Sequence, residues 1–307
     1  MKIVVLEKIK MSKDQVSRLK QLGDVELFDS SNEEECKERI KGADVVVVDW
    51  IDPSSFILSM KKKSLLALMS TGYGWIKYRT EAKEKGILIS NIPGYATEAV
   101  AEHIIGLMLC TARQTTVGDR NIHARKKEKG YLEGIELKGR KMGIIGLGQI
   151  GKRVAEISKC FGMEVVTYNR SKKSWEDIKY LPLDELLSSS DIICISCPLN
   201  DDSRGMLDKN KLKLLKKDAI LVGTTWGVVV LEDLITLLKT KHIRGIGFDV
   251  AVEGGEIDLP ENLLNLDNVV LTPHIGYNTI EAKIRQIDIC ISNIEAFKNN
   301  KPINIVN

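Results

Sequence analysis

The chain has 307 residues, more than one hydrophobic core usually organises, so two domains are expected. Its 43% hydrophobic and 28% charged content is that of an ordinary globular protein, and a net charge of +3 gives no footprint for nucleic acid. No apolar stretch reaches the roughly 20 residues that span a bilayer, so no membrane partner is expected.

The N-terminus, MKIVVLEKIKMS, has a short apolar run followed at once by charges and reads as a first strand, not a signal peptide. Further apolar strands are expected at 25–28, 45–48, 66–70 and 88–90, with helical spacing between them at 13–22 and 33–41. Pro93 and Gly94 close this series. A long helix follows at 97–113, with Thr97 as its expected N-cap and Glu98 well placed in its first turn. The charged stretch 123–134 reads as a surface loop or short helix. A second strand series, richer in glycine, is expected at 141–145, 164–168, 192–196, 219–222, 245–250 and 269–272, with a helix at 150–161. A last helix, 279–298, precedes the tail 302–306. This alternation argues for an α/β protein with parallel sheets covered by helices. The six cysteines show no paired framework, which fits a reducing, cytoplasmic setting. Cys194 and Cys197 form C-x-x-C, but no second pair stands at ligand spacing, so no metal site is expected.

The clearest chemical signal is G-x-G-x-x-G at Gly146, Gly148 and Gly151, with Gln149 and Ile150 between the last two. It follows an apolar strand and opens a helix, the context a dinucleotide site requires. Gly146 allows the tight turn, Gly148 lets backbone approach a pyrophosphate, and Gly151 lets helix and strand pack. Amides at the helix start then face the phosphates. An acid at the end of the next strand would pair with the ribose hydroxyls of NAD; here stand Asn169, Arg170 and Ser171, with Lys172 beyond. Arginine and serine can bind a 2′-phosphate that a carboxylate repels, so NADP(H) is favoured, with NAD(H) possible.

Three stretches, GLGQIG, Cys197-Pro198-Leu199-Asn200 with Ser203 beyond, and Thr272-Pro273-His274-Ile275-Gly276, together resemble the D-isomer-specific 2-hydroxyacid dehydrogenases in order and spacing. The resemblance extends upstream through Thr71-Gly72-Tyr73-Gly74 and residues 91–102. It implies a Rossmann dinucleotide-binding domain over 97–282 and a flavodoxin-like, discontinuous substrate domain formed by 1–96 and 283–307. It also implies a cleft between them and a homodimer joined through the Rossmann domains. By the same resemblance His274 is the catalytic proton carrier, Thr224 and Thr225 lie near the nicotinamide, and Asp249 holds its carboxamide. Cys197, Pro198 and Ser203 lie on the adenine side, and Gly276 permits close approach.

Two family residues are absent. The family's N-T-A-R-G is Gly223-Thr224-Thr225-Trp226-Gly227 here, so Trp226 occupies the place of the arginine that grips the substrate carboxylate. An indole has one N–H donor and no charge and cannot replace a two-pronged guanidinium. The acid that orients the histidine falls on Gly254, with Glu253 and Glu256 flanking it as candidate substitutes. Gly72, Tyr73, Gly74 and Trp75, together with Trp226, are the expected substrate pocket. The expected function is an NADP(H)-dependent oxidoreductase acting on a non-standard carbonyl, imine or alkene. The alternatives are an ordinary 2-keto acid reductase in which Lys77 or Arg79 supplies the cation, and a non-catalytic, corepressor-like binder.

Overall fold

The computed structural model describes residues 1–125, 132–171, 175, 177–250 and 259–307. They fall into two compact units, Met1–Ala96 with Thr279–Asn307, and Thr97–Asn278.

The first unit runs β1 (Lys2–Val5), α1 (Lys13–Leu22), β2 (Asp24–Leu27), α2 (Glu33–Arg39), β3 (Val45–Val48), β4 (Leu65–Leu68), α3 (Arg79–Glu84) and β5 (Leu88–Ser90). Its strands pair in parallel in the order β2-β1-β3-β4-β5, the flavodoxin-like arrangement. Both faces of the sheet are covered, so β3 and β4, Val-Val-Val-Val and Leu-Leu-Ala-Leu, are buried at every position. Capping boxes start α1 (Ser12 with Gln15) and α2 (Asn32 with Glu35), each satisfying two otherwise orphaned amides. The Val306 amide donates to the Ile89 carbonyl and the Asn91 amide to the Asn304 carbonyl, so the C-terminal tail lies along β5.

The second unit runs α4 (Thr97–Arg113), α5 (Thr115–His123), β6 (Lys141–Ile145), α6 (Gln149–Cys160), β7 (Glu164–Tyr168), β8 (Lys179–Tyr180), α7 (Leu183–Ser189), β9 (Ile192–Ile195), α8 (Lys209–Leu212), β10 (Ile220–Gly223), α9 (Leu231–Lys239), β11 (Gly245–Asp249), α10 (Glu261–Leu264) and β12 (Val269–Thr272). Its parallel sheet has the order β12-β11-β10-β9-β6-β7-β8. Strand order reverses between β6 and β9, the switch point at which doubly wound sheets bind ligands beyond their carboxyl ends. Thr97 is the first residue of α4, not its cap, and its hydroxyl donates to the Gln149 side chain (3.3 Å). The chain then returns to the first unit as α11 (Ile280–Lys298), capped by the Thr279 hydroxyl. That cap places the return at 279, four residues ahead of the expected 283.

Candidate active site

The turn after β6 shows three glycines with three different constraints. Gly146 has φ +100°, a conformation side chains rarely adopt, and a Cβ there would lie 2.5 Å from the Cys197 amide nitrogen. A Cβ on Gly151 would lie 2.2 Å from the Gly146 carbonyl oxygen. Gly148 differs: a Cβ there would have nothing within 4 Å. The protein itself demands glycine at 146 and 151, whereas the space beside 148 is open. Gly148 is also the N-cap of α6 and has no side chain to satisfy the first amides of that helix. Dipole and unpaired amides together suit a phosphate.

Around this turn lies a cleft of about 340 Å³, lined among others by Gly146, Gly148, Asn169, Arg170, Ser171, Cys197, Pro198 and Ser203. Eight of the fifteen expected nucleotide residues thus come together at the switch point; Gln149, Ile150, Gly151, Thr224, Thr225, Asp249 and Gly276 are not in this lining. Their bonding separates walls from presented groups. The Leu147 amide donates to Asn169 Oδ1 (2.6 Å), so Asn169 ties the glycine turn to the end of β7. Ser203, 7% exposed, donates to the Pro198 carbonyl (2.7 Å) and accepts from the Asn200 amide (2.8 Å), so its hydroxyl shapes the turn after β9. Arg170 and Ser171 are exposed, and Arg170 Nη1 pairs with the Asp202 carboxylate. Burial pushes the Cys197 thiol above its usual range, so it stays protonated and acts as wall, not nucleophile. The site's chemistry and cleft fit a dinucleotide.

Thr224 and Thr225 follow β10. The Thr225 hydroxyl donates to the Cys197 carbonyl (2.8 Å), linking this strand end to the cleft wall. Trp226 begins a single 3₁₀ turn and is half-buried. Its ring meets fully buried Phe248 edge to face, at 5.1 Å and 80°. Such a pair contributes about 0.5–1.5 kcal/mol beyond the area buried. The large residue at this strand tip is anchored by the core of its own unit.

His274 is exposed, sits in left-handed backbone (φ +53°), and meets Tyr277 edge to face at 5.5 Å. Among the described residues no carboxylate is bonded to its ring; Glu253 and Glu256, with Gly254, lie outside them. What fixes the turn that carries His274 is Asp249, only 3% exposed. Its carboxylate accepts from the Ile275 amide (3.0 Å), the Gly276 amide (2.8 Å) and the Thr272 hydroxyl (2.6 Å). A Cβ on Gly276 would press on Asp249 Oδ2 at 3.0 Å and His103 at 3.2 Å, so glycine permits that closeness. His103 Nε2 lies 2.8 Å from the Thr272 hydroxyl. Because that hydroxyl gives its one proton to Asp249, Nε2 is the donor to it. Sequence reading missed His103: a lone histidine on an apolar helix carries no signal until packing sets it against a residue 169 positions away.

Gly72, Tyr73, Gly74 and Trp75 belong to the first unit. Tyr73 packs on its core, and the Arg79 guanidinium lies over the Tyr73 ring (5.6 Å) and donates to its carbonyl (3.3 Å). Arg79, at the start of α3, is therefore engaged with the loop that precedes it. Trp75 is 45% exposed, and a Cβ on Gly72 would meet its indole nitrogen only at ordinary contact distance (3.7 Å).

Strand order, glycine turn and switch-point cleft define the second unit as a dinucleotide-binding domain. The profile of the D-isomer specific 2-hydroxyacid dehydrogenase NAD binding domain matches residues 105–276. The chain is 35% identical over 311 residues to a glyoxylate reductase of Pyrococcus furiosus, covering 95% of this chain and 91% of that one. It is 32% identical to a hydroxypyruvate reductase of Blautia hydrogenotrophica, over the whole of both. A solved structure of an acyclic imino acid reductase in complex with NADPH and D-Arg superposes over both whole chains with TM-score 0.86 at 30% identity. The chain belongs to the D-isomer-specific 2-hydroxyacid dehydrogenase family and is an NAD(P)-dependent oxidoreductase of that type.

Proposed function

We propose that this enzyme is an NADP(H)-preferring reductase of a carbonyl, imine or alkene carbon in a substrate not held by the family's arginine grip. Trp226 carries the reading: a neutral indole anchored on Phe248 stands at the position that the family resemblance assigns to the carboxylate-gripping arginine. Losing a charged hydrogen bond of that kind costs about 1.5–3 kcal/mol, at least tenfold in rate. The imino acid reductase complex supports a C=N bond, as the glyoxylate and hydroxypyruvate reductases support a C=O bond.

A nicotinamide bound at the cleft supplies the hydride. The chain's own part is to hold the dinucleotide at Gly146, Gly148, Gln149, Ile150 and Gly151, with Arg170 and Ser171 at the 2′-phosphate. Thr224 and Thr225 flank the nicotinamide, Cys197 and Pro198 the adenine side. His274 delivers the proton, and Gly72, Tyr73, Gly74 and Trp75 line the substrate pocket. Assembly as a homodimer through the dinucleotide-binding unit, in the cytoplasm, belongs to the same proposal; the six free thiols support the compartment.

The test follows NADPH oxidation with glyoxylate, hydroxypyruvate and pyruvate, each alone and premixed with excess amine. The premixed samples should turn over faster, and Trp226→Arg should raise kcat/KM for free glyoxylate about tenfold or more. Wild-type turnover of glyoxylate at ordinary enzyme rates, on the order of 10 per second, would overturn the reading.

A further inference from the structure

The strand-end position that carries an acid in NAD users is Asn169, and its oxygen is already spent on the Leu147 amide. A carboxylate nevertheless lines the same cleft: Asp202, from the turn after β9, paired with Arg170 Nη1. The backbone beneath Asp202 is fixed, because Asn200 Oδ1 accepts from the Asp202 amide (3.0 Å) and the Ser203 amide (3.1 Å). Both side chains of the pair are exposed, at 78% and 67%, so it is weak and readily exchanged.

Accepting the nucleotide reading of this cleft, we propose that Asp202 sets the cofactor preference. With NAD(H) its carboxylate accepts hydrogen bonds from the adenosine ribose hydroxyls, doing from the opposite wall what the missing strand-end acid does elsewhere. With NADP(H) Arg170 exchanges Asp202 for the 2′-phosphate, and the carboxylate left beside a dianion opposes that binding. The wild-type enzyme therefore uses both nucleotides, with an NADP(H) preference smaller than Arg170 alone would give.

Calorimetric titration of NADPH and NADH, without substrate, into wild type and three variants tests this. Asp202→Asn should raise the ratio of NADPH to NADH affinity about fivefold or more, by tightening NADPH and loosening NADH. Arg170→Gln should lower the ratio. Asp201→Asn removes the same charge one residue away, outside the cleft lining, and should leave the ratio unchanged. A ratio within twofold of wild type in Asp202→Asn, or an equal rise in Asp201→Asn, overturns the proposal while the nucleotide reading stands. Failure of wild type to bind either nucleotide overturns both. Matching far-UV circular dichroism of the variants verifies that exposed substitutions left the fold intact.

Discussion

Single atoms separate residues that build the site from residues that present it. Gly146 and Gly148 lie two positions apart in one motif, yet only Gly146 has a positive φ and a backbone atom where a Cβ would go. Gly146→Ala should therefore lower stability by about 1–3 kcal/mol or more, seen as a drop in Tm. Gly148 has φ −80°, which alanine accepts, and open space beside it. Gly148→Ala should cost only the N-cap difference between glycine and alanine, a Tm drop of about 2–4 °C, yet weaken nucleotide binding by about tenfold or more, because the methyl takes ligand space. Two variants with the same Tm would refute this division. The edge-to-face contact of Trp226 with Phe248 is structural, so Trp226→Arg gives up packing as it introduces a cation, and its activity is best judged beside its Tm.

At the scale of an element, the turn from Pro273 to Gly276 is held by one buried carboxylate with three donors, and His103 of α4 steadies it through Thr272. Thr272→Val leaves Asp249 short of a donor and His103 short of an acceptor, at a cost of about 1–3 kcal/mol. We expect a lower Tm and a lower kcat with nucleotide affinity kept, and restoration of both by Thr272→Ser; a valine variant like wild type would rule the relay out. This network also marks where sequence stops being informative. The strands were legible because buried parallel strands are continuous apolar runs, as at 45–48 and 192–195. The nucleotide turn was legible because glycine needs are local. His103, the double use of Asn169 and the Arg170–Asp202 pair were not, because each depends on residues brought together from distant strands. Thr97 misled for a similar reason: a residue suited to capping stands inside α4 and turns to Gln149.

At the scale of the whole molecule, the chain builds its first unit from both of its ends. Helix α11 is stitched to the strand ends and to α1 by polar groups: Gln286 Nε2 donates to the Met69 carbonyl (2.5 Å) and to Asp49 (3.4 Å), Asn293 to the Asn91 carbonyl (2.8 Å), and Arg18 of α1 pairs with Asp288 (2.7 Å). Asp49 is the strained member. Burial, then the neighbouring Glu7 carboxylate, push its pKa up to about 6, with Lys283 opposing. Glu7 itself is held by the amides of Asp49 (2.7 Å), Trp50 (3.0 Å) and Ile51 (3.2 Å). A carboxyl whose folded pKa is raised binds its proton more tightly in the native state. Stability from this group is therefore present below its ordinary pKa near 3.8 and is lost as pH rises through about 6. Asp49→Asn keeps the acceptor for Gln286 and should raise Tm at pH 8 by a few degrees, about 3 °C, with little change near pH 4. A Tm gain equal at both pH values would sink this account. The same return of the chain sets an order of synthesis. The dinucleotide-binding unit is complete once residue 278 leaves the ribosome, whereas the sheet that began emerging first must wait for α11 and the strand-like tail at 304–306. The half translated first is thus the half finished last, and until then the face of β3 and β4 formed by Val45, Val47, Leu65 and Ala67 lacks its α11 cover.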